Sequence, residues 1–300
     1  MSTQPAVSPG LVIVDKPAGL TSHDVVARLR KIFRTRKVGH AGTLDPMATG
    51  VLVVGIERAT KLLGYLALER KAYLATIRLG ASTTTDDAEG EVIEEHDGSG
   101  VPEEDIRAGI VRLTGPIEQV PSAVSAVKID GKRAYQRVRE GEAVELPARP
   151  VVVHRFDLLA LRREDKYTEL DVLVDCSSGT YVRALARDLG ARLGVGGHLR
   201  ALCRTQVGPF GLALARSIDA LREEPTLSLD LDAAVNLAFP RRDVTASEAA
   251  AFANGQRLRG VGIDGTYGVF DPSGKAIALA TEQDETARGV ARSVLILAVG

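Results

Sequence analysis

The stretch Gly39-His40-Ala41-Gly42-Thr43-Leu44-Asp45-Pro46-Met47-Ala48-Thr49-Gly50 is followed at once by the apolar run Val51 to Ile56. Few structures accommodate this pairing. The apolar run reads as a buried strand. The twelve residues ahead of it hold three glycines, a proline and one acid, and are expected to form a shaped loop. Glycine permits backbone conformations that other residues resist and lets a ligand approach the main chain. Proline after Asp45 biases that aspartate toward an extended or turn conformation. The expected result is one carboxylate held at the mouth of a buried strand. An isolated loop Asp before Pro is usually a turn or capping residue, so the rest of the chain must decide.

Leu11 to Val14 is a short strand candidate, closed by Asp15-Lys16-Pro17. Thr21 or Ser22 can cap a helix running to Phe33, with Val25, Val26, Leu29, Ile32 and Phe33 on one face. No acid occurs from Val25 through Leu44, whereas Arg28, Arg30, Lys31, Arg34, Arg36 and Lys37 do. A solvated face would mix signs, so this window points to a polyanion contact. Arg58 to Leu68 reads as a short helix and Tyr73 to Leu79 as a strand. The acidic loop Thr83 to Gly90 lacks the alternating ligands of a calcium loop. Val92 to Glu95 reads as a strand and Pro102 to Leu113 as a helix.

Residues 120–150 form a long excursion carrying Lys128, Lys132, Arg133, Arg137 and Arg139, with Tyr135 among them. Within it, Val124 to Ile129 is strand-like, Asp130-Gly131 a turn and Ala134 to Arg139 a helical turn. Val151 to Asp157 and Glu169 to Asp175 are expected to be strands around a charged turn. Cys176 to Arg183 leads through small residues into a helix ending near Leu193. Gly194, Gly196 and Gly197 follow no strand, unlike a dinucleotide loop. Leu199 to Phe210 is a further strand candidate, and Glu223 to Arg242 reads as a connection between domains. Beyond it, a helix around Ser247 to Asn254 and strands at Tyr267 to Phe270, Ala276 to Ala280 and Ser293 to Val299 suit a small β-rich domain. Strands and helices do not alternate regularly, which favours α+β over a doubly wound sheet.

A chain of 300 residues can hold more than one domain. Net charge is -1, so any nucleic-acid contact must rest on local patches. Cys176 and Cys203 match no metal spacing and read as reduced thiols. The five histidines form no local metal pair, and neither a Gly-x-Ser-x-Gly elbow nor a phosphate loop is present. No signal peptide or membrane span is expected, and a cytoplasmic location follows.

The run Gly39 to Pro46 with Ala48-Thr49-Gly50 closely resembles the active-site motif of the TruB family of tRNA pseudouridine synthases. Asp15-Lys16-Pro17 with Thr21-Ser22, Lys71-Ala72-Tyr73 and Gly179-Thr180-Tyr181-Val182-Arg183 resemble its other motifs, in the family's order and at compatible spacing. The basic 120–150 excursion argues for stand-alone recognition, and a monomer is the default. The resemblance implies isomerisation of uridine 55 in the T arm of tRNA. It implies no obligate protein partner, and no redox cofactor, metal or ATP. It implies the pseudouridine-synthase fold, a mixed but mainly antiparallel sheet flanked by helices. By this resemblance residues 1–225 are the catalytic domain, 120–150 an RNA-binding insertion, and 243–300 a PUA-like RNA-binding domain. The last matches the family least and looks closest to the variant form of actinobacterial members.

The same resemblance makes Asp45 the essential carboxylate, attacking the sugar or the base or removing the 2' proton; these routes stay open. Arg183 would pair with Asp45 and keep it charged and oriented. Tyr73 would stack on the flipped uracil, where a strand aromatic filling the core is the alternative. Leu202 would pack on the base's other side, or be ordinary core. His40 would contact RNA near the flipped nucleotide. Lys16 would stabilise the loop or meet phosphate. Asp87 matches a family acid near the arginine, against an exposed loop acid. Base flipping and strongly salt-sensitive tRNA binding are expected. A tRNA-binding folding chaperone, or a guide-dependent enzyme, are the competing readings.

Overall fold

The computed structural model describes residues 7–122, 128–129, 132–133, 146–283 and 289–297. Lys128–Ile129 and Lys132–Arg133 pair as a short hairpin. The helical turn expected at Ala134 to Arg139, with Tyr135, Arg137 and Arg139, lies outside the described residues, as do 123–127 and 130–131.

Ten strands form one sheet: β1 Gly10–Lys16, β2 Val38–Ala41, β3 Thr49–Ile56, β4 Lys71–Leu79, β5 Gly115–Gln119, β6 Arg149–Glu164, β7 Tyr167–Cys176, β8 Gly197–Val207, β9 Phe210–Gly211 and β10 Leu229–Asp230. Their order is β10-β1-β3-β8-β4-β7-β6-β5, with β2 beside β3 and β9 beside β8. Only the β3–β8 contact is parallel, where Cys203 meets Thr49 and Arg204 meets Gly50. The sheet is therefore mixed and mainly antiparallel, as expected, and the fold is α+β.

The continuous apolar run of β3 has a simple cause. Leu52, Val54 and Ile56 pack with Val12, Val14 and the helix α1 (Ser22–Ile32) on one face. Val51 and Val53 pack with Leu11 and Ile13 on the other. A strand buried on both sides must be apolar at every position. In contrast, β4 alternates: Lys71, Tyr73, Ala75, Ile77 and Leu79 are buried, and the intervening residues are not. Thr21 caps α1 in a reciprocal capping box with Asp24, while Val25, Val26 and Leu29 fill the core. All six basic residues of the acid-free window, Arg28 to Lys37, are exposed.

Several elements differ from expectation. The first residues of the expected loop form β2, so the loop proper is only 42–48; glycine and histidine there mask the strand's alternation. The β6–β7 hairpin turns at Asp165, leaving β6 sixteen residues long. Its outer half carries charged residues that pair with each other rather than ending the strand, as Arg162 does with Asp171.

The segment 223–242 is not a mere connection. It carries β10 and the helix Leu231–Ala238, which Asp230 caps. Leu231, Ala234, Val235 and Phe239 join one apolar cluster with Leu11, Ile13, Val51 and Val53 of the large sheet and Phe270, Leu279 and Leu297 beyond. The helix fills the space between this sheet and a second one. That second sheet holds five strands: β11 Arg241–Asp243, β12 Leu258–Arg259, β13 Thr266–Phe270, β14 Ala276–Gln283 and β15 Val290–Ile296. Arg58, just after β3 of the large sheet, donates to the Leu297 carbonyl at 2.8 Å.

The loop Gly194 to Gly197 has a packing role. A Cβ at Gly190 would overlap the backbone of Gly196 and Gly197. Gly50 is equally constrained. Its φ is +95°, and an added Cβ would overlap the Arg204 carbonyl oxygen at the parallel contact. Gly50→Ala should cost about 2–3 kcal/mol, read as a lower urea midpoint with an unchanged slope. An unchanged midpoint would show that β3 and β8 are not pressed together there.

Candidate active site

Arg183 is the second residue of the helix α2 (Val182–Arg192), whose buried face is Val182, Leu185, Ala186 and Leu189. Its Nε lies 2.9 Å from Asp45 Oδ2, and Nη2 donates to Oδ1 at 3.2 Å. Its Nη1 donates to the Thr85 carbonyl at 2.8 Å and lies 3.4 Å from Asp87 Oδ2. One guanidinium therefore bridges two carboxylates. The Asp87 side chain is 4% exposed and that of Asp45 36%. Asp45 is thus the carboxylate a ligand can reach, and Asp87 stands behind. Asp87 also accepts from Thr85 Oγ1 and from the Glu89 amide. Its loop is pinned to β8, where the Ala88 amide donates to Leu199.

Three side chains hold the Asp45 loop. Lys16, fully buried at the end of β1, donates to the carbonyls of Pro17 at 3.0 Å, Leu20 at 2.7 Å and Pro46 at 3.1 Å. Those bonds use all three ammonium protons. Burial pushes the Lys16 ammonium down to about 8, opposed by the charge of Asp45; the three carbonyl acceptors keep it charged at neutral pH. Ser22, next to the cap of α1, accepts from the Leu44 amide at 2.9 Å and donates to the Leu44 carbonyl at 3.2 Å. Arg204 donates from Nε to Val51 at 2.8 Å and from Nη2 to Gly42 at 3.0 Å. The motif Asp15 to Ser22 is thus the clamp of the motif that carries Asp45.

Tyr73 lies opposite Arg204 and Ala75 opposite Leu202 where β4 meets β8. Asp45, Tyr73, Arg183 and Leu202 line one cleft of about 310 Å³, closed below by Lys71 and Arg204. Burial pushes the Tyr73 phenol up, with Arg204 opposing, so the ring enters the cleft neutral. Lys71 donates to the carbonyls of Ala67 and Glu69, and burial with the neighbouring Arg204 pushes it down to about 8.

The other expected site residues do not line this cleft. Lys16 lies behind the loop with its donors spent on carbonyls, the loop-holding alternative. His40, on β2, stacks edge-on against His23 at 5.5 Å between centroids. Burial, His23 and Arg204 push His40 down to about 4, so it is neutral at pH 7. Asp87, expected as a substrate-binding acid near the arginine with an exposed loop acid as the alternative, is 3% exposed and lies against Arg183; the exposed reading is the one that fails, and Asp87 does not line the cleft. Its partner is 96 residues away in sequence (183 − 87), a distance no local pattern spans.

Arg204 was not singled out from sequence, and Lys71 was quoted only as part of the Tyr73 motif. The available signal was a charged residue at an inward position of a strand, Lys71 on β4 and Arg204 on β8. Among the described residues, no three His, Cys, Asp or Glu side chains are grouped to hold a metal ion. No described helix is long and apolar enough to cross a membrane.

Comparison with known proteins places the whole chain. Residues 30–182 match the model of the TruB family pseudouridylate synthase N-terminal domain. Residues 183–231 match a tRNA pseudouridylate synthase B C-terminal domain, and 239–292 match the tRNA pseudouridine synthase II C-terminal model. The chain is 61% identical to tRNA pseudouridine synthase B of Rhodococcus jostii over 95% of its own length and 93% of the relative's. It is 59% identical to the enzyme of the same name from Mycobacterium bovis, covering 95% and 96%. Among solved structures, it resembles a chain of a Cbf5-Nop10-Gar1 complex with TM-score 0.71 and 28% identity, covering 95% and 83%. It also resembles a chain of an H/ACA RNP bound to a substrate RNA containing 2'-deoxyuridine, with TM-score 0.70 and 25% identity, covering 97% and 85%.

Proposed function

Because the chain belongs to the TruB family of pseudouridylate synthases and is an isomerase of uridine in tRNA, we propose that its target is uridine 55 of the T loop, converted by Asp45 without guide RNA or protein partner. The observation that carries this reading is the convergence of Asp45, Arg183, Tyr73 and Leu202 on one cleft of nucleobase size. Asp45 is the reachable carboxylate, and Arg183 fixes its direction. Tyr73 and Leu202 present apolar surfaces between which a flipped uracil stacks. The base must leave the T-loop stack to enter, at a cost of a few kcal/mol. The exposed basic residues 28–37 offset that cost through phosphate contacts. His40 and Lys16 act nearby, Lys16 by holding the loop and His40 as a neutral ring beside the RNA path.

In this reading residues 1–225 form the catalytic domain, with the 120–150 insertion meeting the T loop, and residues 243–300 form a PUA-like RNA-binding domain. The enzyme works as a cytoplasmic monomer. Relatives named for tRNA match over nearly the whole chain, which supports action on tRNA itself. The Cbf5 neighbours sit in complexes, so independence from partners needs a direct test.

That test uses purified protein alone, an unmodified tRNA transcript tritiated at uridine C5, and the same transcript with cytidine at position 55. Tritium release from the first and none from the second is the expected result. Release that persists without uridine 55 would move the target elsewhere. Release that needs an added RNA or protein fraction would make the enzyme guide-dependent.

A further inference from the structure

Arg204 is the largest of the fully buried side chains, at 1% exposure. It faces Tyr73 across the β4–β8 pairing and Gly50 across the parallel contact. Its hydrogen-bond partners are neutral main-chain oxygens: Val51, Gly42 and, at 3.5 Å, Thr43. It forms no ion pair among the described residues. Asp45 and Asp87 both point at Arg183, so neither compensates it. A guanidinium cannot shed its proton in a protein, and a buried unpaired charge is costly. Neutral donors could have held the same three carbonyls. The positive charge needs another reason, and the cleft offers one. Arg204 borders it, and stands opposite Tyr73 where two strands pair along its wall.

Resting on the reading of this cleft as the uridine-isomerising site, we infer that Arg204 is a positioning residue whose permanent charge faces the uracil while that base is negative. Each route open to Asp45 puts negative charge there. When Asp45 bonds to C1' or removes the 2' proton, the C1'–N1 bond breaks with its electron pair going to N1. The detached base is then an anion, with charge spread over O2 and O4. Attack of Asp45 at C6 places the same charge on O4 before that bond breaks. C5 next bonds to C1' as the Asp45–C1' ester breaks and frees the carboxylate; on the 2' route the proton returns to C2', and on the C6 route the Asp45–C6 bond breaks afterwards. C5 loses its proton and N1 gains one, so no electron is gained or lost overall. A fixed cation in a dry cleft stabilises such charge far better than water does. Lys71 is less suited: its ammonium is committed to two carbonyls and is pushed down to about 8.

The test compares Arg204→Lys, which keeps the charge, with Arg204→Gln, which keeps hydrogen-bond donors only. Single-turnover pseudouridine formation, KM, tRNA affinity and thermal melting are measured for each. Arg204→Gln should slow the bound-state rate about 100-fold and Arg204→Lys less than about tenfold, with tRNA affinity and KM nearly unchanged. Equal rates for the two variants, or a Gln defect confined to KM, would overturn the role of charge.

Should either variant fail to fold, the wild-type protein still decides. At pH 7.5 it should bind 5-nitrouracil, an anion, about tenfold more tightly than neutral uracil. Equal affinity would overturn the proposal. A wild type that forms pseudouridine while Gln and Lys variants match removes only the role of Arg204. A wild type that forms none removes the reading of the cleft, and this inference with it.

Discussion

Asp45→Asn should lose at least about 10⁴-fold in pseudouridine formation while binding tRNA as the wild type does. The change keeps size and shape and removes the negative charge. Asparagine can neither attack a carbon centre nor accept a proton at neutral pH. The loop itself should survive. Lys16 grips the Pro46 carbonyl, Ser22 grips Leu44 at both main-chain groups, and Arg204 grips Gly42; none of these contacts involves the Asp45 carboxylate. Arg183 keeps Asp87 and the Thr85 carbonyl as partners. The measurement is tritium release beside a filter-binding titration. A variant that retained even a tenth of the wild-type rate would remove Asp45 from the chemistry. One that lost tRNA binding in parallel would show its role to be structural.

Arg183→Met should damage stability and catalysis together. The methionine fills similar volume but strands Asp87, a carboxylate with a 4% exposed side chain. Removing one partner of a buried pair costs about 3 kcal/mol or more, enough to lower Tm by roughly 5–10 °C. Activity should fall at least about 10³-fold, because Asp45 loses the contacts that aim it. The two effects can be separated by adding Asp87→Asn. The neutral amide no longer needs a counter-charge, so the double variant should recover much of the lost stability and none of the activity. Recovery of both would mean that Arg183 serves only to neutralise Asp87. Recovery of neither would mean that the helix start depends on the guanidinium for more than charge.

What the chain disclosed in advance follows the range of the interactions involved. The strand from Thr49 to Ile56 and the capped helix after Thr21 were legible because neighbours in sequence determine them. The basic face from Arg28 to Lys37 was legible because its signal is the absence of acids over one window. Asp45, Tyr73 and Arg183 were recognisable through motif resemblance, and the structure brings them together across 138 residues (183 − 45). Interactions between distant segments were hidden. Asp87 reads as a loop acid from its own neighbours, and only the motif resemblance put it near the arginine. Arg204 reads as one arginine among several until two neighbouring strands close over it. The helix Leu231–Ala238 is short and alanine-rich, and its meaning lies in the two sheets it separates.

The apolar cluster around that helix has a consequence for how the gene can change. Leu11 and Ile13 near one end of the chain share a single interior with Leu279 and Leu297 near the other. Neither end can be shortened at leisure. A frameshift or early stop past Asp230 would leave the strand that carries the catalytic loop with one greasy side turned to water, and such a product invites self-association and proteolysis. The tail and the large sheet therefore stand as one folded unit, and a substitution such as Phe270→Ser should destabilise both.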